Sequence, residues 1–245
     1  MGRAFEFRKE RKMKRWANMA KTFTRIGREI SIAVRDGGPD PVYNSRLRLA
    51  IQNAKAANMP KTNIENAIKK ASSKDAEDYD EIVYEGYAPH GVAVIVETAT
   101  NNIKRTVANV RHHFSKMNGS LGVSGSVDYM FNRKANFKVE ATDSLDAEEL
   151  ELELIDFGLE EIKTERDEEK ELDLIVFTCN FEDFGNFQKA LEERSIEVKE
   201  SELIRIPTHT KKLEETQVED VIKLIDKLEE DDDVLNVFHN MDMEE

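Results

Sequence analysis

Between residues 44 and 71 the chain carries six basic residues, Arg46, Arg48, Lys55, Lys61, Lys69 and Lys70, against one acid, Glu65. Cations at that density on short segments suit the neutralisation of phosphate, the contact that dominates affinity for nucleic acids. The same chemistry extends upstream. Arg8, Lys9, Arg11, Lys12, Lys14 and Arg15 crowd the first part of the chain, with Phe5 and Phe7 interleaved, and Lys21, Arg25 and Arg28 follow. A third candidate is the run 119–126, where Gly119, Ser120, Gly122, Ser124, Gly125 and Ser126 could turn backbone N–H groups toward a phosphate. That run is not a P-loop, because no Gly-Lys-Ser/Thr follows and the order is helix to strand. It has the outline of the Gly-x-x-Gly clamp of a KH module, but it leads into a strand where that module has a helix.

Residues fitted for catalysis or metal binding do not assemble in the same way. The histidines are His90, His112, His113, His209 and His239. His112 and His113 are adjacent, so on a helix they point about 100° apart and cannot chelate one metal as an i, i+4 pair would. Cys179, the single cysteine, lies in an apolar strand-like run and reads as an inert buried thiol. The acids at 148–153 and 229–233 read as a solvated helix surface and a helix-end loop. Neither has the alternating oxygens and central glycine of a calcium loop. The expectation is a protein without catalytic chemistry and without a cofactor or metal.

The segments that position the cations read as helices. From Met13, Trp16, Ala20, Phe23, Gly27, Ile30 and Val34 recur in steps of three and four, and Asp36-Gly37-Gly38-Pro39 supplies a glycine cap and a proline stop. Asn44 or Ser45 can cap a second helix with Leu47, Ala50, Ala54 and Ala57 on one slender face. Pro60 ends it, since proline cannot donate and biases Met59 away from helix. Thr62-Asn63-Ile64-Glu65 has the form of a capping box opening a third helix.

A polar connection at 72–80 separates this basic unit from a different periodicity. Residues 82–87 and 92–96 read as strands, the second so continuously apolar that it belongs in the centre of a sheet. Ile103, Val107, Val110, Phe114 and Met117 mark an amphipathic helix, and Val127, Tyr129 and Phe131 one face of a further strand. Residues 137–139, 148–157, 161–163, 174–179, 184–191 and 196–198 then give the order β-α-β-β-α-β, the ferredoxin-like arrangement. Leu203 to Ile206 reads as a strand, Val218, Val221, Ile222, Ile225 and Leu228 as a helix face, and 234–238 as a last strand. These closing elements have too few partners of their own, so they are expected to complete the sheet begun at Ile82. The fold class expected is α+β: a basic three-helix domain at 1–74, a discontinuous α+β domain at 75–132 and 202–245, and a ferredoxin-like α+β domain inserted at 133–201.

The whole chain, 245 residues, has a formal net charge of −14, and that figure hides a segregation. Residues 1–74 hold 18 Lys+Arg and 6 Asp+Glu, a net of +12, which leaves 36 − 18 = 18 basic and 50 − 6 = 44 acidic residues, a net of −26, for the rest. A cationic head on an anionic body fits a polyanionic ligand and a second, protein-binding role for the acidic part. No apolar run approaches the roughly 20 residues of a membrane helix, and the basic N-terminus lacks the apolar core of a secretory signal. With no internal disulfide possible, the cytoplasm is the expected compartment.

Several stretches resemble one known family. Lys14-Arg15-Trp16-Ala17-Asn18, Gly37-Gly38-Pro39-Asp40-Pro41, Arg46-Leu47-Arg48, Lys55-Ala56-Ala57-Asn58-Met59-Pro60-Lys61, Tyr84-Glu85-Gly86-Tyr87, Arg105-Thr106-Val107, residues 122–127 and Val237-Phe238-His239-Asn240-Met241 are all similar to the YebC/PmpR family. The start departs from it: the family's common opening is Met-Ala-Gly-His-Ser-Lys-Trp-Ala-Asn, whereas here Arg3 to Lys14 precede the tryptophan without that histidine. The resemblance implies a basic three-helix domain and two α+β domains, and a regulator that binds DNA. It also implies an alternative, a ribosome-associated factor that binds ribosomal RNA and helps translation through difficult sequences. Asn63 and Asn66 could reach base edges, but Asn63 could equally serve the start of its helix. Recognition of shape and backbone, with weak sequence preference, is therefore expected.

Overall fold

The computed structural model describes residues 19–74, 76–142, 145–167 and 172–243. Its first helix, α1 (Met19–Gly37), packs across α2 (Ser45–Ala56) and α3 (Lys61–Ala71). Ile26, Ile30, Ala33, Val34, Leu47, Ala50, Ala54, Met59 and Ile64 make the buried cluster between them. The small face read on α2 is thus the one buried. On α1 the buried stripe also takes in Ile26 and Ala33, while Ala20 is exposed. The part of that helix expected before Met19, with Trp16, lies outside the described residues.

Local chemistry sets the ends of these helices. Gly38, at φ 84°, takes the left-handed position that stops α1, and its N–H bonds the Val34 carbonyl at 2.8 Å. Asn44 caps α2 by accepting from Leu47 N–H at 3.0 Å, and its amide donates to the carbonyls of Ala33 (2.6 Å) and Gly38 (2.8 Å). A β-carbon on Gly37 would stand 2.7 Å from that amide nitrogen, so glycine is required there.

The cap expected at Thr62 is not formed. Helix α3 begins at Lys61 with Pro60 in the capping position and no side-chain cap, so Thr62 already lies inside the first turn. Proline pre-sets the φ that a helix start needs, so the helix opens two residues before the position the capping-box pattern names. Thr62→Ala is accordingly expected to change stability by less than about 0.5 kcal/mol. Asn44→Ala, which removes a cap and leaves two carbonyls bare, should cost about 2 kcal/mol. Thermal melts of the two variants check the pair, and equal losses would contradict it.

Beyond the head lie two four-stranded antiparallel sheets. The first comprises β1 (Asp80–Tyr87), β2 (Ala93–Thr100), β3 (Ser120–Leu121) and β8 (Val234–His239), in the order β3-β1-β2-β8. Strand β2 is central and buried at every position but Glu97, as its apolar run requires. Helices α4 (Ile103–Lys116) and α7 (Glu215–Glu229) cover one face through Val110, Phe114, Val221, Ile222, Leu224, Ile225 and Leu228. Gly86 on β1 lets β3 approach, since a β-carbon there would lie 2.5 Å from the Ser120 carbonyl oxygen.

The second sheet comprises β4 (Phe131–Glu140), β5 (Leu159–Asp167), β6 (Leu172–Asn180) and β7 (Val198–Pro207), in the order β5-β6-β4-β7. Helices α5 (Ala147–Leu154) and α6 (Phe184–Glu193) complete the β-α-β-β-α-β unit over a core of Phe137, Phe177, Phe187, Leu154 and Leu191. Two expectations are corrected. Asp128–Met130 is a short 3-10 turn, and the strand starts only at Phe131. Leu203 and Ile206 belong to β7, which pairs along β4 (Leu203 with Ala135, Ile206 with Asn132), so they extend the second sheet and not the first. A ten-residue β4 offers a ladder long enough to hold all of β7, and only α7 and β8 return to the first sheet. The head lies over β7: Ser201 N–H on that edge strand bonds Asn53 Oδ1 of α2 at 3.2 Å, so the edge is covered. Arg205 on β7, 9% exposed, joins the sheets by bonding Glu97 at 2.9 Å and Asp128 at 2.7 Å.

Candidate nucleic-acid interface

The cations of the head divide into those held by the protein and those turned to solvent. Lys21 donates to the Glu230 carbonyl at 2.8 Å and Arg25 to the Glu229 carbonyl, so both sit on the C-terminal end of α7. Positive charge is favoured there by the helix dipole and by carbonyls that lack intrahelical partners. Arg28 reaches the carbonyls of Ala99 (3.1 Å) and Asp232 and pairs with the Asp233 carboxylate at 3.1 Å. Arg46 bridges Asp36 (3.0 Å) and Glu81. Arg48 holds the loop before α2 by donating to the carbonyls of Pro41 and Val42, each at 2.8 Å, and lies 3.7 Å from Glu192.

The remaining lysines point outward. Lys55 and Lys69 are exposed, with no hydrogen bond or ion pair among the described residues. Lys61 is 89% exposed and meets only Glu65, one turn on, at 3.7 Å, while Lys70 meets Glu77 at 3.3 Å. Such exposed pairs are worth little and exchange readily with another anion. Arg8, Lys9, Arg11, Lys12, Lys14 and Arg15 lie outside the described residues.

The glycine-serine run is organised by a residue that sequence reasoning missed. Glu85 on β1 is 5% exposed. Its carboxylate accepts from the N–H groups of Gly125 (2.6 Å), Val127 (2.7 Å) and Asp128 (2.8 Å), and its carbonyl accepts from Gly122 N–H at 2.8 Å. Burial opposes the charge on Glu85. The three backbone donors, with Arg205 nearby, outweigh it and hold the carboxyl below the usual range. Gly119 N–H bonds the Phe114 carbonyl, Ser126 N–H bonds that of Val123, and Ser120 pairs with Tyr87. The run therefore turns most of its amides inward and leaves Ser124 and the outer face of Ser120 to solvent. The available signal was a single acid inside the strand expected at 82–87, in a chain that also holds a loop rich in glycine.

Asp233 was missed for the opposite reason, because it sits in a run of acids read as solvated. It is 2% exposed and accepts from Arg105 (2.7 and 3.0 Å), Thr106 (2.7 Å) and Thr100 (3.3 Å) besides pairing with Arg28. At the same junction Glu29 on α1 is half-buried, and desolvation pushes its carboxyl up to about 7 against the pull of Arg46 and Arg25. Cys179 is fully buried as expected, and burial pushes its thiol up to about 12, which suits an inert side chain. Among the described residues no group of acids, histidines and cysteine could hold a metal ion, and no helix is long and apolar enough to cross a membrane.

Comparison with known proteins places this architecture. The family described as TACO1/YebC protein N-terminal domain matches residues 3–74, and TACO1/YebC second and third domain matches residues 79–241. A protein of Flavobacterium johnsoniae named a probable transcriptional regulatory protein is 59% identical over 241 residues, covering 98% of this chain and 99% of that one. A Porphyromonas gingivalis protein of the same name is 54% identical over 245 residues, covering 100% and 99%. The crystal structure of a conserved hypothetical protein from Aquifex aeolicus superposes with a TM-score of 0.76 at 39% identity, covering 91% of this chain and 90% of that one. The chain belongs to the TACO1/YebC family.

Proposed function

We propose that this protein is a non-enzymatic regulator that binds DNA through its head, residues 1–74, while the acidic remainder serves as a body for a protein partner. The observation that carries the reading is the fate of the cations. Lys21, Arg25, Arg28 and Arg46 are spent against the body's carboxylates and carbonyls, so the head's charge is partly neutralised where it docks. Lys55, Lys61, Lys69 and Lys70, carried by α2 and α3, face away with weak partners or none. The names carried by relatives, probable transcriptional regulatory protein, accord with this.

Phosphate contacts release counterions, so affinity for duplex DNA should fall steeply with salt, with a log–log slope near −5 for a footprint of about six phosphates. In the full chain, replacing Lys55, Lys61 and Lys69 together by Gln should leave the melting temperature unchanged and make that slope shallower by about three units. Arg46→Gln should instead loosen the contact of α2 with β1. A flat salt response of the unaltered chain would refute the reading.

A further inference from the structure

The outward face of α3 is polar in a way that solvation alone does not explain. Ile64 is buried and Ala67, Ile68 and Ala71 are half-buried, which fixes one side of the helix on the head's core. At 100° per residue the opposite side is centred on Thr62, Asn66 and Lys69, with Asn63 and Lys70 on its shoulder. All five are exposed. The side chains of Thr62, Asn63 and Asn66 form no hydrogen bond among the described residues, so no side-chain cap or turn accounts for them. Asparagine is among the poorer helix formers, and two of them on a short exposed helix weaken it without any intramolecular return.

The setting gives them a use. Two short helices, α2 and α3, are joined by the break at 57–60, in which Asn58 takes a left-handed φ of 58° and Met59 is buried, and α1 packs across both. That is the outline of a helix-turn-helix, whose second helix enters the major groove and contacts base edges with its N-terminal residues. Here the first two turns carry Thr62, Asn63 and Asn66, side chains able to pair with base edges, and the last turn carries Lys69 and Lys70, suited to phosphate. We propose that α3 reads sequence in the major groove of duplex DNA, with Asn66 at the centre of the contact and Asn63 and Thr62 beside it. The proposal rests on the DNA-binding reading above and deepens it: recognition is of base edges as well as of backbone and shape. Asparagine pairs with adenine through N6 and N7, so the site contains adenine opposite Asn66.

The test selects duplexes from a randomised pool with the full chain, then measures affinity for the selected site and for random duplex. The expected result is an enriched motif containing adenine. Asn66→Ala should lower affinity for that site by about ten-fold or more while leaving random duplex within about two-fold, with Asn63→Ala weaker in the same sense. Lys69→Gln should weaken both duplexes alike and make the salt dependence shallower. Because Asn66 is exposed and alanine is the better helix former, melting temperatures should not fall. Salt-sensitive duplex binding with no enriched motif, or a motif indifferent to Asn66 and Asn63, overturns the proposal and leaves DNA binding standing. Failure to bind any duplex at low salt, or preference for structured RNA, overturns both.

Discussion

Asp233→Ala is expected to cost about 3 kcal/mol and to lower the melting temperature by roughly 10 °C. The aspartate lies in the turn between α7 and β8 and gathers Arg28 from the head, Arg105 and Thr106 from α4, and Thr100 from the end of β2. Burial would raise its carboxyl. Hydrogen bonds from Arg105 and Thr106, and the charges of Arg105 and Arg28, outweigh burial and hold it below its ordinary value of 3.8. Removal strands Arg28, whose side chain is 13% exposed, without its counter-charge, and an unpaired buried charge is the expensive outcome. Arg105, at 47% exposure, recovers water and adds little. A carboxyl lowered in the folded state contributes stability that is complete above its ordinary value and lost as pH falls through the folded one. The difference between the native chain and Asp233→Ala should therefore be constant near neutrality and shrink only in acid. Because Lys55, Lys61 and Lys69 do not touch the hub, affinity for duplex DNA below the melting temperature should hold. A loss under about 1 kcal/mol would mean that water reaches the hub and that the head is docked by apolar contacts instead.

How much of this was legible in the sequence depends on how far away each cause lies. Periodicity is local, and it found most of the buried face of α7: Val218, Val221, Ile222, Ile225 and Leu228 are all buried, and so is Leu224, which the pattern left out. The central place of β2 followed from its apolar run in the same way. Thr62 failed because a capping box and a proline start overlap within two residues, and only the helix's first turn says which prevails. Leu203 and Ile206 failed because a strand's sequence does not name its partner; the length of β4 does. Charge was the least legible. The segregation of +12 and −26 is a property of composition, but whether a given lysine or arginine meets solvent or a carbonyl is settled by tertiary neighbours. Lys21, Arg25 and Lys55 look alike in sequence, yet the first two sit on the end of α7. Asp233 was hidden among acids that surround it in sequence, whereas its partners lie more than a hundred residues away.

Glu85→Gln should cost about 3 kcal/mol despite preserving shape, because the amide that replaces one oxygen donates where the loop already donates. Val127 and Asp128 share one carboxylate oxygen and Gly125 takes the other. Whichever way the glutamine amide turns, at least one N–H must face another N–H in a buried site, and the remaining bonds lose the assistance of charge. The loss should be local. Hydrogen exchange at Gly125, Val127 and Asp128 should accelerate by orders of magnitude while amides in the second sheet stay protected. Below the ordinary carboxyl value of 4.5 the two proteins should converge, since the native glutamate gives up its contribution as pH falls through its lowered folded value. Gly125, at φ 81°, holds a conformation that suits glycine, and the bonds left to the loop in the variant are those of Ser126 N–H to the Val123 carbonyl and of Gly122 N–H to the backbone carbonyl at position 85. The same variant tests whether the loop contacts nucleic acid. If Ser120 and Ser124 meet phosphate, affinity should fall along with loop order; if affinity holds while exchange accelerates, the interface is confined to the head. Unchanged exchange at the three amides would show that Glu85 does not brace the loop.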